Sequence, residues 1–165
     1  MISPDHAQLM ARYNLWQNGS IYGAAATLSD EERKRDRGAF FKSIHGTLNH
    51  LLWGDQTWMN RLAEMPAPRV SMSDSAGYHE NWAELTQERH AFDAAIANWA
   101  AGLTEAWLRE SLTWFSGAAG RELSKPKWLL VTHFFNHQTH HRGQVHAMLT
   151  QAGAVPDDTD IIVMP

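Results

Sequence analysis

Apolar positions recur at helical spacing along almost the whole chain. Ser3 and Pro4 form an N-cap and a first helical position, where proline's missing N–H costs nothing. Leu9, Tyr13 and Trp16 then predict a helix running past Gly19 and Ser20 to about Thr27. Ser29, Asp30, Glu31 and Glu32 open a short charged turn, acids first as the helix dipole prefers, that ends around Arg37 and Gly38. A second long helix is expected from about Phe40 to Glu64, stopped by Pro66 and Pro68. Its apolar residues, among them Ile44, Leu48, Leu51, Leu52 and Met59, cover so much of its circumference that it belongs among several neighbours. Residues 66–76 read as a loop. Trp82, Leu85, Phe92, Ile96 and Trp99 predict a third long helix from about Gly77 to Ala101, and Thr104 caps a short one through Leu108. Leu112–Phe115 and Arg121–Leu123 flank Gly117-Ala118-Ala119-Gly120, which fits either a small hairpin or a plain loop. The fourth long helix starts near Pro126 and reaches Ala152, with Gly153 as its stop, and the tail offers Ile161 and Ile162 for packing. Four long helices with modest connections predict an all-α four-helix bundle. It forms a single domain over residues 1–165, with a short irregular insert between the third and fourth long helices.

Composition narrows the classes of function. Among 165 residues, 14 are basic and 18 acidic, for a net charge of −4. Such a balance suits solubility and is poor for gripping a phosphate backbone, so nucleic acid is not an expected partner. The one basic run, Arg33-Lys34-Arg35-Asp36-Arg37, is balanced by the acids just before it. No stretch is apolar for the eighteen or so residues a membrane span needs, and the N-terminus lacks the basic and apolar regions of a signal peptide, so a soluble cytoplasmic domain is expected. There is no cysteine, hence no disulfide, no thiolate ligand and no thiol nucleophile. Any bound metal must be held by nitrogen and oxygen.

Ten histidines are present, and five fall between His133 and His146 on the fourth long helix. With His133 set at 0° on a helical wheel, His137 lies at about 40° and His141 at about 80°, while the apolar face centres near about 110°. His141 therefore points inward and His137 sits at the border. Imidazoles four residues apart reach one point a turn apart and can chelate one ion, although such pairs also occur on helices by chance. The second long helix offers a third donor in His50, and His45 is also available. His50 lies about 130° from the centre of the main apolar face, so helix phase does not select it. Gly46 and Gly54, one turn to either side, leave room around its ring, though close helix packing explains those glycines equally well. Asp55 is a candidate to orient a ligand or act as a base, or else to pair with an arginine such as Arg12 or Arg142. For Arg142, on the far edge of its helix, a structural salt bridge is the simpler role. Trp16, Trp53 and Trp58 are candidates for a pocket wall or for core.

Leu48-Asn49-His50, together with Asn136-His137-x-x-x-His141-Arg142-Gly143-Gln144, resembles the DinB-like (damage-inducible) family. The likeness runs from Tyr13-Asn14-x-Trp16 to the Pro156…Asp160 tail, and the His-Arg-Gly-Gln end is its specific part. The resemblance implies an up-down-down-up four-helix bundle with a long crossover, metal ligands His50, His137 and His141, a zinc or nickel ion, and homodimers. Characterised relatives in that superfamily are transferases or isomerases that use low-molecular-weight thiols. The family name refers to induction by DNA damage and implies no DNA binding.

Three neutral imidazoles would leave an ion its full charge and an open position, the arrangement of catalytic sites. Such a site lowers the pKa of a water or a thiol, so hydrolase and thiol S-transferase chemistry are both available. With no cysteine in the chain, a thiol would come from a cosubstrate. The alternatives are a non-catalytic metal-binding stress-response protein, and a helical dimerisation module without metal.

Overall fold

The computed structural model describes residues 1–117 and 119–165. Six helices and one hairpin form: α1 Pro4–Ala26, α2 Asp30–Lys34, α3 Ile44–Ala63, α4 Trp82–Ala101, α5 Glu105–Arg109, β1 Ser111–Ser116, β2 Arg121–Pro126 and α6 Lys127–Gln151. Side-chain oxygens cap most of the helix starts. Ser3 accepts from the His6 N–H at 3.1 Å, Ser43 from Gly46 at 3.0 Å and Thr104 from Trp107 at 3.2 Å. Each satisfies an amide that the helix leaves without a partner.

Two helices begin later than their periodicity predicts, in each case because a better cap lies inside the expected span. Before α3, Lys42 adopts the left-handed conformation (φ 67°) and its N–H returns to the Ala39 carbonyl at 2.8 Å, closing a tight turn ahead of Ser43. Before α4, Asn81 caps through Ala83 and Glu84, and a 3-10 turn over Met72–Gly77 occupies the expected loop. The stretch left open between hairpin and loop is an antiparallel hairpin pairing Ser111 with Pro126 and Ser116 with Arg121. Ala118 of the Gly117-Ala118-Ala119-Gly120 run lies outside the described residues.

α1 packs on α4 and α6, and α3 packs on α6 and α4. The buried apolar residues form two clusters. One holds Ala7, Ala11, Met59, Leu62, Ile96, Val131 and Phe134; the other holds Ile21, Tyr22, Leu48, Leu52, Leu85, Val145 and Leu149. α1 and α6 run from the first cluster to the second, and α3 and α4 run the opposite way. On every long helix buried polar residues interrupt the passage: Asn14 and Asn18, Asp55, Arg89 and Asp93, Gln138 and Arg142. Arg89 bonds Asp55 at 2.7 Å and Asp93 at 2.7 Å, while Asn14 and Asn18 donate to Asp93 at 3.0 and 2.9 Å. Pairing and hydrogen bonding of this kind offset the cost of burying these three charges.

The basic run is neutralised within and beside α2, with Lys34 on Asp30 at 2.8 Å and Arg37 on Glu32 at 2.9 Å. The tail departs from expectation. Ile162 is 88% exposed, and polar bonds anchor the segment instead: Tyr13 Oη to the Thr159 carbonyl at 2.6 Å and Gln17 Nε2 to that of Asp158 at 2.8 Å. No helix among the described residues is long and apolar enough to cross a membrane.

Candidate metal centre

α3 supplies His50 and α6 supplies His137 and His141, one turn apart. One ring nitrogen from each lies within 4.8 Å of the other two. The rings are 4.5 Å apart between His137 and His141, 4.8 Å between His50 and His141, and 5.5 Å between His50 and His137, centroid to centroid. Phase alone did not place His50 here. What does is the long contact between α3 and α6, together with Phe41, whose ring stacks on the imidazole at 3.8 Å. The left-handed turn at Lys42 sets Phe41 just ahead of α3.

Hydrogen bonds orient two of the three rings. His50 Nδ1 lies 2.9 Å from Ser75 Oγ, whose own proton goes to the Met72 carbonyl at 2.7 Å. Ser75 therefore accepts, His50 carries its proton on Nδ1, and the Nε2 lone pair is free. His141 Nδ1 lies 2.8 Å from Gln144 Oε1, an acceptor, with the same result. His137 Nδ1 is buried with no hydrogen-bond partner. Burial holds all three imidazoles neutral: it pushes His50 down to about 4 and His137 to about 3, neighbouring imidazoles adding to both, and lowers His141 as well. Neutral rings with free lone pairs and an orphaned buried nitrogen fit a divalent metal cation.

Gly54 makes room for the imidazole across from it. A Cβ there would lie 2.7 Å from His137 Cε1, so the bare backbone of α3 is what admits the α6 imidazole. At Gly46, by contrast, a Cβ would run into the Phe41 carbonyl, and that glycine serves packing.

The remaining candidates lie elsewhere. His45 Nε2 bonds the His79 carbonyl at 2.7 Å, and the His133 ring sits edge-on to Trp58 at 4.9 Å. Among the described residues Asp55 makes no hydrogen bond to the three imidazoles and pairs with Arg89, rather than with Arg12 or Arg142. Burial raises its carboxyl to about 6 even though Arg89 pulls it down. Arg142 makes no salt bridge among the described residues. It donates to Asn14 Oδ1, and at 3.4 Å to Thr139 Oγ1. A signal for Arg89 was available, since Leu85, Arg89 and Asp93 follow at intervals of four on a helix whose apolar stripe includes Leu85 and Ile96. Ser75 carried no comparable signal, because its role depends on how the 3-10 turn docks on α3.

A cleft of roughly 390 Å³ opens beside His50 and His137, with Trp53, Trp58 and Trp114 on its walls. Trp16 lines a separate surface hollow with Leu15 and Val155.

Comparison with known proteins agrees with this architecture. The chain is 26% identical over 171 residues to Protein DinB of Bacillus subtilis (strain 168), covering 94% of this chain and 91% of that protein. It superposes with TM-score 0.66 on the crystal structure of a DinB-like protein from Bacillus cereus ATCC 10987, at 15% identity over 87% of this chain and 90% of that one, which extends the likeness to the fold. The DinB family model matches residues 3–164, and the chain belongs to the DinB family.

Proposed function

We propose that this protein is a metal-dependent enzyme in which His50, His137 and His141 hold one divalent cation, zinc or nickel, next to a cleft that receives a small substrate. The observation that carries the reading is the convergence of three neutral imidazoles from two helices beside that cleft. No carboxylate joins them among the described residues, so three protein donors leave room for an exogenous one. When bound, a divalent cation with three neutral ligands supplies Lewis acidity that lowers the pKa of a neighbouring water or thiol.

The protein's own contribution is positional. Ser75 and Gln144 keep the Nδ1 protons of His50 and His141 turned away from the cluster, and Gly54 leaves space for His137. Phe41 and Trp53 stack near His50 (3.8 and 5.6 Å) and keep water from its faces. The reaction is of hydrolase or thiol S-transferase type, and in the latter case the thiol is a cosubstrate, since the chain has no cysteine. Likeness to DinB proteins supports extending the reading to a cytoplasmic, single-domain homodimer over residues 1–165 that acts in a stress response.

The test is metal content of protein purified without nickel chromatography. About one equivalent of zinc or nickel is expected, lost in His137→Ala with helicity retained. Absence of metal, even after incubation with either ion, rejects the site. Turnover is then assayed with a panel of thiols against a generic electrophile and with hydrolysable esters. Inactivity throughout leaves a metal-binding protein without catalysis.

A further inference from the structure

The cleft beside the imidazoles has a chemical character of its own. In a chain with more acids than bases, no Asp or Glu lines it among the described residues, and its one formal charge is Arg61. Arg61 sits in the last turn of α3 with its guanidinium over the face of Trp58, 4.8 Å from the ring centroid. Among the described residues no carboxylate lies within ion-pairing distance and none of its N–H groups has a protein acceptor. A stacked guanidinium keeps its edge free, and that edge matches an anionic oxygen pair in two parallel hydrogen bonds. Burial lowers its pKa, and its charge is felt at His133, which lies next to His137 along the same wall.

Tryptophans supply the apolar part of the wall, beside Thr57, Ser116 and the imidazoles. Trp114, delivered by β1, meets Trp58 edge-on at 5.8 Å. A second hollow of about 430 Å³ shares Trp58, Trp114 and His133 with the first and continues over Leu129 and Leu130. The two hollows together accept a body the size of one or two aromatic rings.

From this juxtaposition we infer that the cleft binds a small planar or apolar organic anion, its body against Trp58 and Trp114 and its carboxylate, sulfonate or phosphate on Arg61. The reactive part of the molecule is thereby turned toward His50 and His137. The inference rests on the proposed role of the cluster as a substrate site, and it assigns Arg61 the recognition of substrate charge. The hairpin between α5 and α6 becomes one wall of the binding site.

Calorimetric titration with naphthalene-2-sulfonate and its neutral isostere, methyl 2-naphthyl sulfone, tests this. A sulfonate is a weak metal ligand, so the pair reports on Arg61. The sulfonate should bind about tenfold more tightly, as expected for a charge-assisted hydrogen bond in a partly dry site. Arg61→Gln should bring the two probes within about twofold, and Arg61→Lys, which keeps the charge but loses the stacked fork, should fall between it and the wild type, with the melting temperature of each variant controlling for folding. Equal affinities in the wild type, no binding of either probe, or an undiminished preference in Arg61→Gln overturns the inference. Metal content measured on the same samples separates the two claims. A preference for the sulfonate in protein that takes up no metal upholds the anion cleft and removes the metal reading. One equivalent of metal with no preference does the reverse.

Discussion

Gly54 and His137 face each other across α3 and α6 at a distance that leaves no space for a single methyl group, since a Cβ on residue 54 would stand 2.7 Å from His137 Cε1. The obstructed atom belongs to a rotatable ring, so Gly54→Ala should displace the imidazole and leave the backbone in place. Alanine is also favoured over glycine inside a helix by about 1 kcal/mol. Two opposite effects are therefore expected from one methyl group. Metal affinity should fall about tenfold or more, because a misdirected ligand easily costs the 1.4 kcal/mol that a factor of ten represents. The melting temperature of metal-free protein should stay level or rise. Chelator competition and thermal denaturation measure the two, and unchanged metal affinity would show that His137 is no ligand.

Ser75 and Gln144 are predicted to matter for metal and little for the fold. Each takes the Nδ1 proton of one imidazole and so keeps the other nitrogen's lone pair available. Ser75→Ala and Gln144→Leu should each weaken zinc binding by about tenfold, the usual penalty for removing the partner that orients a ligand. Competition against a chromophoric chelator gives the number. An affinity as tight as the wild type in both variants would mean that the rings are held by packing alone.

How much of this was legible beforehand depends on whether the governing contact is local. Ser3, Thr104 and Gly153 marked helix ends that the structure places within a residue or so, because capping is a matter of four or five consecutive residues. The starts of α3 and α4 were read four or five residues early. Phe40 and Phe41 continue the apolar pattern, but Lys42 breaks the helix by turning left-handed, which no hydrophobic period reveals. The His137–His141 pair could be seen in the spacing of one helix. His50 needed the family likeness, since its neighbours come from the docking of α6, the 3-10 turn and Phe41 on α3. Ile161 and Ile162 illustrate the opposite case, apolar residues available for packing where backbone carbonyls of the tail find partners on α1 instead.

Metal-free protein should lose stability as pH falls from about 6.5 toward 4. In the unfolded chain histidines gain protons just below 6.5, whereas folded His50 resists until about 4 and His137 until about 3. His141, His45 and His133 are depressed as well, chiefly by burial. The unfolded state thus binds more protons in this window, and stability rises with pH across it. Two buried carboxyls act in the other direction: Asp55, raised to about 6, and Asp93 take up protons earlier in the folded state. Five imidazoles outweigh two carboxyls. Each proton of net difference contributes about 1.4 kcal/mol per pH unit. Urea midpoints at pH 7, 6 and 5 read the slope directly, and a flat or inverted profile would show that the imidazoles are more open to water than the structure has them.

The buried triad of Asp55, Arg89 and Asp93 gives the strongest prediction about stability. Arg89 is fully buried and holds both carboxylates at 2.7 Å, in the layer that separates the two apolar clusters. Arg89→Leu strands two carboxylates in a dry interior and should cost about 3–5 kcal/mol, enough to consume much of the stability of a domain this size. Asp55→Asn keeps a neutral hydrogen-bonding group against Arg89 and should cost less, about 1–3 kcal/mol. The same variant separates two roles for Asp55. Were it a base working at the imidazoles, Asp55→Asn would abolish turnover and leave the melting temperature alone. The ion pair with Arg89, and the lack of a hydrogen bond to His50, His137 or His141, predicts the reverse: a lowered melting temperature with turnover retained and metal content still near one equivalent. Calorimetry and a turnover assay on one preparation decide between them, with elemental analysis as the control for metal.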